Sequence, residues 1–345
     1  MLSTKIKLLF GISLSIILLI SCQNKKHDIG FYYLNSIYKP DTVSQKLVGE
    51  LKANLLFVRF MNIDFKDKGI EPVLLSPVSF EQTVDHNQEI IPVVTIQQRI
   101  FTELDSLQIR GLAHKIVPFI TDKIKQGGQD FFKELQLDCD WTTNSRDKFF
   151  YLLEYLQSVP ELNEVTVTAT LRLQQIKDIQ SNGIPPVKKA TLLCYNTGNI
   201  NQFGNHNSIL NQQDLTTYLS STLKNYPLQL DIVLPLFDRY VAFRDQKYIG
   251  ISNHFSRHDL NDKSLFIKNP KTDLYILKQD LGKDNLKKGD VIRHEFVPNE
   301  QLVATAKFIS KALDGKQNSI IFFHLAPEVV SNYETVDLQK IISAF

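Results

Sequence analysis

The chain has 345 residues, 43% of them hydrophobic and 22% charged, with a formal charge of +2. That is apolar material for one large core or two ordinary ones, and the near-neutral balance excludes the basic excess of a nucleic-acid-binding protein. The sequence also has no low-complexity tracts and no short repeats of the solenoid or propeller kind.

At the N-terminus, Lys5 and Lys7 precede an apolar run from Leu8 to Ile20 interrupted by Gly11, Ser13 and Ser15. This is the charged start and hydrophobic centre of an export signal. It is short for a membrane-spanning helix, which needs about 20 apolar residues. The run ends in Leu19-Ile20-Ser21-Cys22, which resembles the lipobox of bacterial lipoproteins. The resemblance implies cleavage before Cys22 and acylation of that cysteine. Residues 1–21 then form the signal and 22–27 a polar tether. Without the two signal lysines the remainder is formally neutral. The expectation is a cell-envelope protein held on a membrane by lipid, on the outer membrane if the source is Gram-negative, with the face left open. The other cysteines, Cys139 and Cys194, lie in apolar segments and read as small buried hydrophobes.

Eight segments read as strands, being apolar, rich in β-branched or aromatic residues and bounded by turn signals: 28–35, 54–64, 89–97, 134–141, 164–174, 189–197, 228–238 and 319–326. Helix-like stretches alternate with them at 42–53, 109–125, 145–158, 213–225, 299–313 and 335–344. The alternation predicts a parallel sheet with helices outside. Eight strands over residues 28–345 fit a (β/α)8 TIM barrel. The alternative, an open doubly wound sheet, usually has a glycine-rich phosphate turn after its first strand, and none follows here. Between the seventh and eighth strands the rhythm breaks. Short strand-like pieces at 247–251, 264–267, 273–277 and 290–295 predict a small β-rich insertion over about residues 242–298.

The fourth segment is the most informative. Alternation places Gln136, Asp138 and Asp140 on one face and Leu135, Leu137 and Cys139 on the other. The apolar face suits the helix layer, so the polar face points into the barrel. Two carboxylates two residues apart lie roughly 7 Å apart, and their repulsion in a desolvated site should raise one pKa. They are the candidate catalytic pair. On the fifth segment Thr166, Thr168, Thr170, Arg172 and Gln174 share a face, so Arg172 either neutralises an acid or holds a polar ligand. Strand ends add Arg59, Asn62, Asp64, Gln97, Tyr195, Asn196, Asp238, Arg239 and His324. Such a mouth, rich in amides, aromatics and acids, suits sugar hydroxyls. Trp141, the only tryptophan, either stacks on a sugar face or joins the core. His254 and His258 are spaced i, i+4 without a third ligand, so neither a metal nor a cofactor is expected.

Asp138-Cys139-Asp140-Trp141 resembles the strand-four signature of chitinase-like family 18 glycoside hydrolases, Asp-x-x-Asp-x-Asp-x-Glu. Leu192-Leu193-Cys194-Tyr195-Asn196 resembles their Met-x-Tyr-Asp strand six, and Leu234-Pro235-Leu236-Phe237-Asp238-Arg239 their Leu-Pro-x-Tyr-Gly-Arg strand seven. The family also has an insertion after strand seven. The chain further resembles bacterial TIM-barrel proteins of the DUF3142 type, which carry a Gln-x-Asp-x-Asp strand. The resemblance implies a glycan ligand and orienting carboxylates at Asp138 and Asp140. It departs where the family has its proton-donating Glu, because Thr142 stands there, and threonine cannot protonate a glycosidic oxygen. Three readings stay open: a hydrolase or transglycosylase with Asp140 or Asp64 as acid, a glycan-binding lipoprotein without turnover, and a structural or assembly lipoprotein that binds another protein. A monomer is expected.

Overall fold

The computed structural model describes residues 27–66, 69, 71–282, 284–314 and 316–345. The expected signal, Cys22 and all of the tether but His27 lie outside these residues.

The eight barrel strands are β1 (Asp28–Tyr33), β2 (Leu55–Phe65), β3 (Glu89–Ile96), β4 (Glu134–Asp138), β5 (Thr166–Leu171), β6 (Lys189–Leu193), β7 (Gln229–Pro235) and β8 (Ser319–Phe323). All neighbours pair in parallel, and β1 pairs with both β8 and β2. The sheet therefore closes on itself into a (β/α)8 barrel, which excludes the open doubly wound alternative. Helices cover the outside, and Asp41, Asp105 and Asn211 cap three of them through side-chain bonds to the first free N–H groups. No helix of the described residues is long and apolar enough to cross a membrane.

The outer faces of the strands join the helices in the main core. On the inner faces, Tyr32, Leu55, Phe57, Ile91, Val93, Leu193, Val233 and Ile321 form an apolar cluster. There Gly30 lacks a side chain for a reason, since a Cβ would stand 3.2 Å from both Leu55 Cβ and the Phe57 ring. The buried polar groups come from β4 to β7, beside Leu193 and Val233 of that cluster. Near the barrel's base Lys189 Nζ lies 2.6 Å from Glu134 and 2.7 Å from Asp231. One layer higher, the Tyr32 hydroxyl donates to Gln136 Oε1, and Gln136 Nε2 donates to Thr191 Oγ1 at 2.8 Å. Gln136 is completely buried, so this network satisfies a group that would otherwise be costly there.

Strand β2 contains a bulge between Arg59 and Met61. Phe60 and Met61 are both buried in the outer core, and the inner face resumes at Asn62, opposite Thr95. The bulge leaves Arg59 inward, above Leu55 and Phe57 and in register with Val93.

The expected insertion is a five-stranded antiparallel sheet of Arg239–Arg244, Lys247–Ser252, Phe266–Lys268, Leu274–Leu277 and Val291–Glu295. Its first strand starts at Arg239, directly after the loop that leaves β7. Its own small core holds Tyr240, Ala242, Phe266, Tyr275, Leu277 and Ile292.

Candidate functional site

The candidate site is the C-terminal mouth of the barrel, where β4 and β5 bring their last polar side chains together. Asp138 Oδ1 accepts hydrogen bonds from Thr170 Oγ1 at 2.7 Å and Arg172 Nη2 at 2.9 Å, and Oδ2 accepts from Thr95 Oγ1 at 3.2 Å. Arg172 also donates to Thr170 at 3.1 Å. The Asp138 and Arg172 side chains are 21% and 23% exposed, so the pair forms a partly wet floor. Burial opposes ionisation of Asp138, but the Arg172 charge and the three donors outweigh it and hold the carboxyl below the usual range. Asp138 is therefore a fixed anion, unsuited to donating a proton.

Asp140 lies beyond the end of β4 and is exposed, with one long contact from Gln174 Nε2 at 3.4 Å. The expected run of strand five through Gln174 is corrected here. β5 ends at Leu171, Arg172 caps a helix, and Gln174 belongs to that helix, Leu173–Lys177. The helical turn still brings Gln174 to Asp140, but by a different path.

Trp141 is corrected as a sugar platform. It is 1% exposed, stacks on Phe149 with centroids 5.1 Å apart, and donates from Nε1 to the Asn182 carbonyl at 2.9 Å. Its faces belong to the helix layer. Thr142 is exposed, and its hydroxyl accepts from Gln98 Nε2 at 2.6 Å. Gln97 precedes that helix, Gln98–Glu103, as an exposed residue without a side-chain capping bond.

Two further acids are already committed. Asp64 accepts from Arg99 Nε at 2.5 Å and from the Phe65 amide at 2.8 Å, and the Arg99 hydrogen bond holds its carboxyl low. This removes Asp64 as the substitute acid. Asp238 is corrected as a free ligand contact. Arg257 grips it with Nε at 2.5 Å and Nη2 at 2.7 Å, and His294 Nε2 reaches it at 2.8 Å. His294 is itself stacked between Tyr240 and Phe296. Asp238 thus fastens the insertion to the barrel.

Tyr195 and Asn196 follow β6 at the mouth. Asn196 is exposed with φ 58°, and its Oδ1 accepts from Arg239 Nη2 at 2.5 Å. The half-buried Tyr195 packs on Phe323 at 5.1 Å and Phe237 at 5.7 Å, and Phe323 packs on Tyr32 at 5.4 Å. Burial pushes the Tyr195 hydroxyl up, so it stays protonated and available as a donor. This aromatic floor, with Phe237 and Phe323 partly buried, was not anticipated. The alternation Ile321, Phe323 along β8 is the signal that would have found it. His324 sits at the end of β8 with Nδ1 buried and unpartnered. Burial lowers its pKa, so the ring is neutral at pH 7. Arg59 is half-buried, with Nε also unpartnered. No group of three or more potential metal ligands occurs among the described residues.

The mouth therefore combines a fixed Asp138–Arg172 pair, an exposed acid at Asp140 and an aromatic floor. No protein-family model and no curated protein matches the sequence. Solved structures do match the fold. The spore cortex-lytic enzyme SleL of Bacillus megaterium QM B1551 is 10% identical with a TM-score of 0.54, covering 94% of this chain and 75% of its own. The chitinase of Chromobacterium violaceum ATCC 12472 is 7% identical with a TM-score of 0.51, covering 92% and 99%. Catalytic domain 2 of the Ostrinia furnacalis Group II chitinase is 11% identical with a TM-score of 0.54, covering 92% and 96%. The chain shares the barrel architecture of these chitinases and cortex-lytic enzymes.

Proposed function

We propose that the mouth binds a glycan and does not hydrolyse it. One observation carries this reading: the position after Asp140 and Trp141 where a family 18 enzyme has its proton donor holds Thr142, bonded to Gln98. The carboxyls nearby do not replace it well. Asp138 and Asp64 are held ionised by Arg172 and Arg99, and a glycosidic oxygen needs a protonated acid. The remaining features suit sugar binding. Tyr195, Phe237 and Phe323 offer ring faces for the apolar side of a pyranose, and Asp140, Gln174 and Asn196 offer polar groups to its hydroxyls. Among the structural neighbours, a mutant of catalytic domain 2 of the Ostrinia furnacalis Group II chitinase was solved in complex with penta-N-acetylchitooctaose.

A second reading, hydrolysis with Asp140 as acid, is favoured by the exposure of that carboxyl and its single long contact. Titration of purified protein with oligosaccharides, followed by product analysis of the same mixtures, separates the two. Binding without new reducing ends, weakened by Tyr195→Phe and Asp140→Ala, supports the first. Turnover abolished by Asp140→Asn supports the second and overturns the first.

We also propose that Cys22 is acylated and holds the barrel at the cell envelope. The Leu19-Ile20-Ser21-Cys22 sequence supports this, and several acyl chains give stable anchoring. Expressed in bacteria, the wild type should fractionate with membranes and incorporate labelled palmitate. Cys22→Ala should do neither.

A further inference from the structure

Arg59 stands apart from the other cations of the barrel interior and mouth. Arg172 has Asp138 at 2.9 Å, and Lys189 has Glu134 and Asp231 at 2.6 and 2.7 Å. Arg99 has Asp64 at 2.5 Å, and Arg239 has Glu295 at 3.8 Å. Arg59 faces inward from β2 yet makes no hydrogen bond or ion pair with any described residue, and its Nε is buried without a partner. Below it are Leu55 and Phe57, and beside it is Val93. Burial lowers its pKa, and among the described residues no acid pairs with it. A half-desolvated guanidinium without an anion is unfavourable, and an apolar or amide side chain would fill the same space at less cost. The bulge after Arg59 flips the alternation of β2 only beyond it, so the side chain stays on the inward face of the barrel.

A second orphan lies on the same arc of the rim. His324 Nδ1 is buried without a partner at the end of β8, and β8 and β2 both pair with β1. Two unpartnered polar atoms, Arg59 Nε and His324 Nδ1, thus belong to the β8–β1–β2 side, and the Asp138–Arg172 pair to the β4–β5 side. On the first side Asp64 of β2 is taken by Arg99, and on the second Asp138 is taken by Arg172.

We infer that the ligand of the mouth is an acidic saccharide whose carboxylate or phosphate group pairs with Arg59. The planar guanidinium fork matches either anion through two parallel hydrogen bonds. The inference rests on the glycan reading above and specifies the class of glycan.

Calorimetric titration of the wild type, Arg59→Gln and Arg59→Lys tests it, using three sets of oligosaccharides matched in length. One set is neutral N-acetylglucosamine oligomers, one bears uronate carboxylates and one bears phosphate. The wild type should bind one acidic set about 10- to 100-fold more tightly than the neutral set, the size of a charge-assisted hydrogen bond. The set preferred names the anion, and the preference should shrink with added salt. Arg59→Gln should abolish the preference, lowering acidic affinity far more than neutral affinity. Arg59→Lys, which keeps charge and stem, should fall between, and it answers the question if the glutamine variant fails to fold. Equal wild-type affinity for acidic and neutral sets, with real binding to both, overturns this inference and leaves the glycan reading standing. A loss in either variant that falls equally on acidic and neutral sets overturns it too. Binding of none of the sets overturns both.

Discussion

Asp138 shows how neighbours decide what a carboxylate can do. Its spacing from Asp140 suggested two acids sharing a desolvated face with one pKa raised. Arg172, Thr170 and Thr95 instead take both oxygens of Asp138 and hold it ionised. Its pKa is lowered on folding, so its contribution to stability is full above the unfolded value of about 3.9 and is lost as pH falls through the folded value. Asp138→Asn should therefore destabilise the protein by about 2–3 kcal/mol near pH 7, since it leaves Arg172 partly buried without its anion. Thermal unfolding across pH checks this: the gap between wild type and variant should close as pH drops below about 4. At Trp141 the sequence left two environments open and packing chose the core. Trp141→Ala should cost about 3–5 kcal/mol, as for other large buried aromatics. As the only tryptophan, it should also fluoresce as a buried indole, with emission unmoved by a saturating oligosaccharide.

The strands and helices were legible because their periodicities are strong, and the eight strand starts agree with expectation to within two residues. Strand ends were less so. Cys139 and Trp141 after β4 are as apolar as the strand itself because they pack into the main core from a loop, and composition does not distinguish a ladder from a packed loop. The same ambiguity extended β5 through Arg172 into a short helix. Asp238 was misread for a related reason: in sequence it ends a strand, and only the tertiary structure brings Arg257 and His294 onto it. Because it fastens the insertion, Asp238→Ala should loosen that sheet before the barrel. Hydrogen exchange should accelerate across 239–295 while β1 to β8 remain protected. Uniform acceleration across both would show that the insertion is not a separate unit of stability.

Across the whole molecule, the barrel interior holds an apolar cluster from β1 to β3 and β8, joined by Leu193 of β6 and Val233 of β7, beside buried polar groups of β4 to β7. At the mouth the Asp138–Arg172 pair stands at β4 and β5 and the rings of Tyr195, Phe237 and Phe323 at the ends of β6, β7 and β8, an arrangement suited to a ligand with both hydroxyls and apolar faces. The fold is shared with glycan-degrading enzymes, but fold does not fix function, and Thr142 and the committed acids Asp138 and Asp64 argue for binding. The most direct test of that account is a crystal structure of the wild-type protein soaked with an acidic oligosaccharide. The account predicts an intact sugar chain in the mouth, one ring over Tyr195 and Phe323, with its anion on Arg59. Cleaved products there, or a sugar bound elsewhere with the mouth empty, would contradict it.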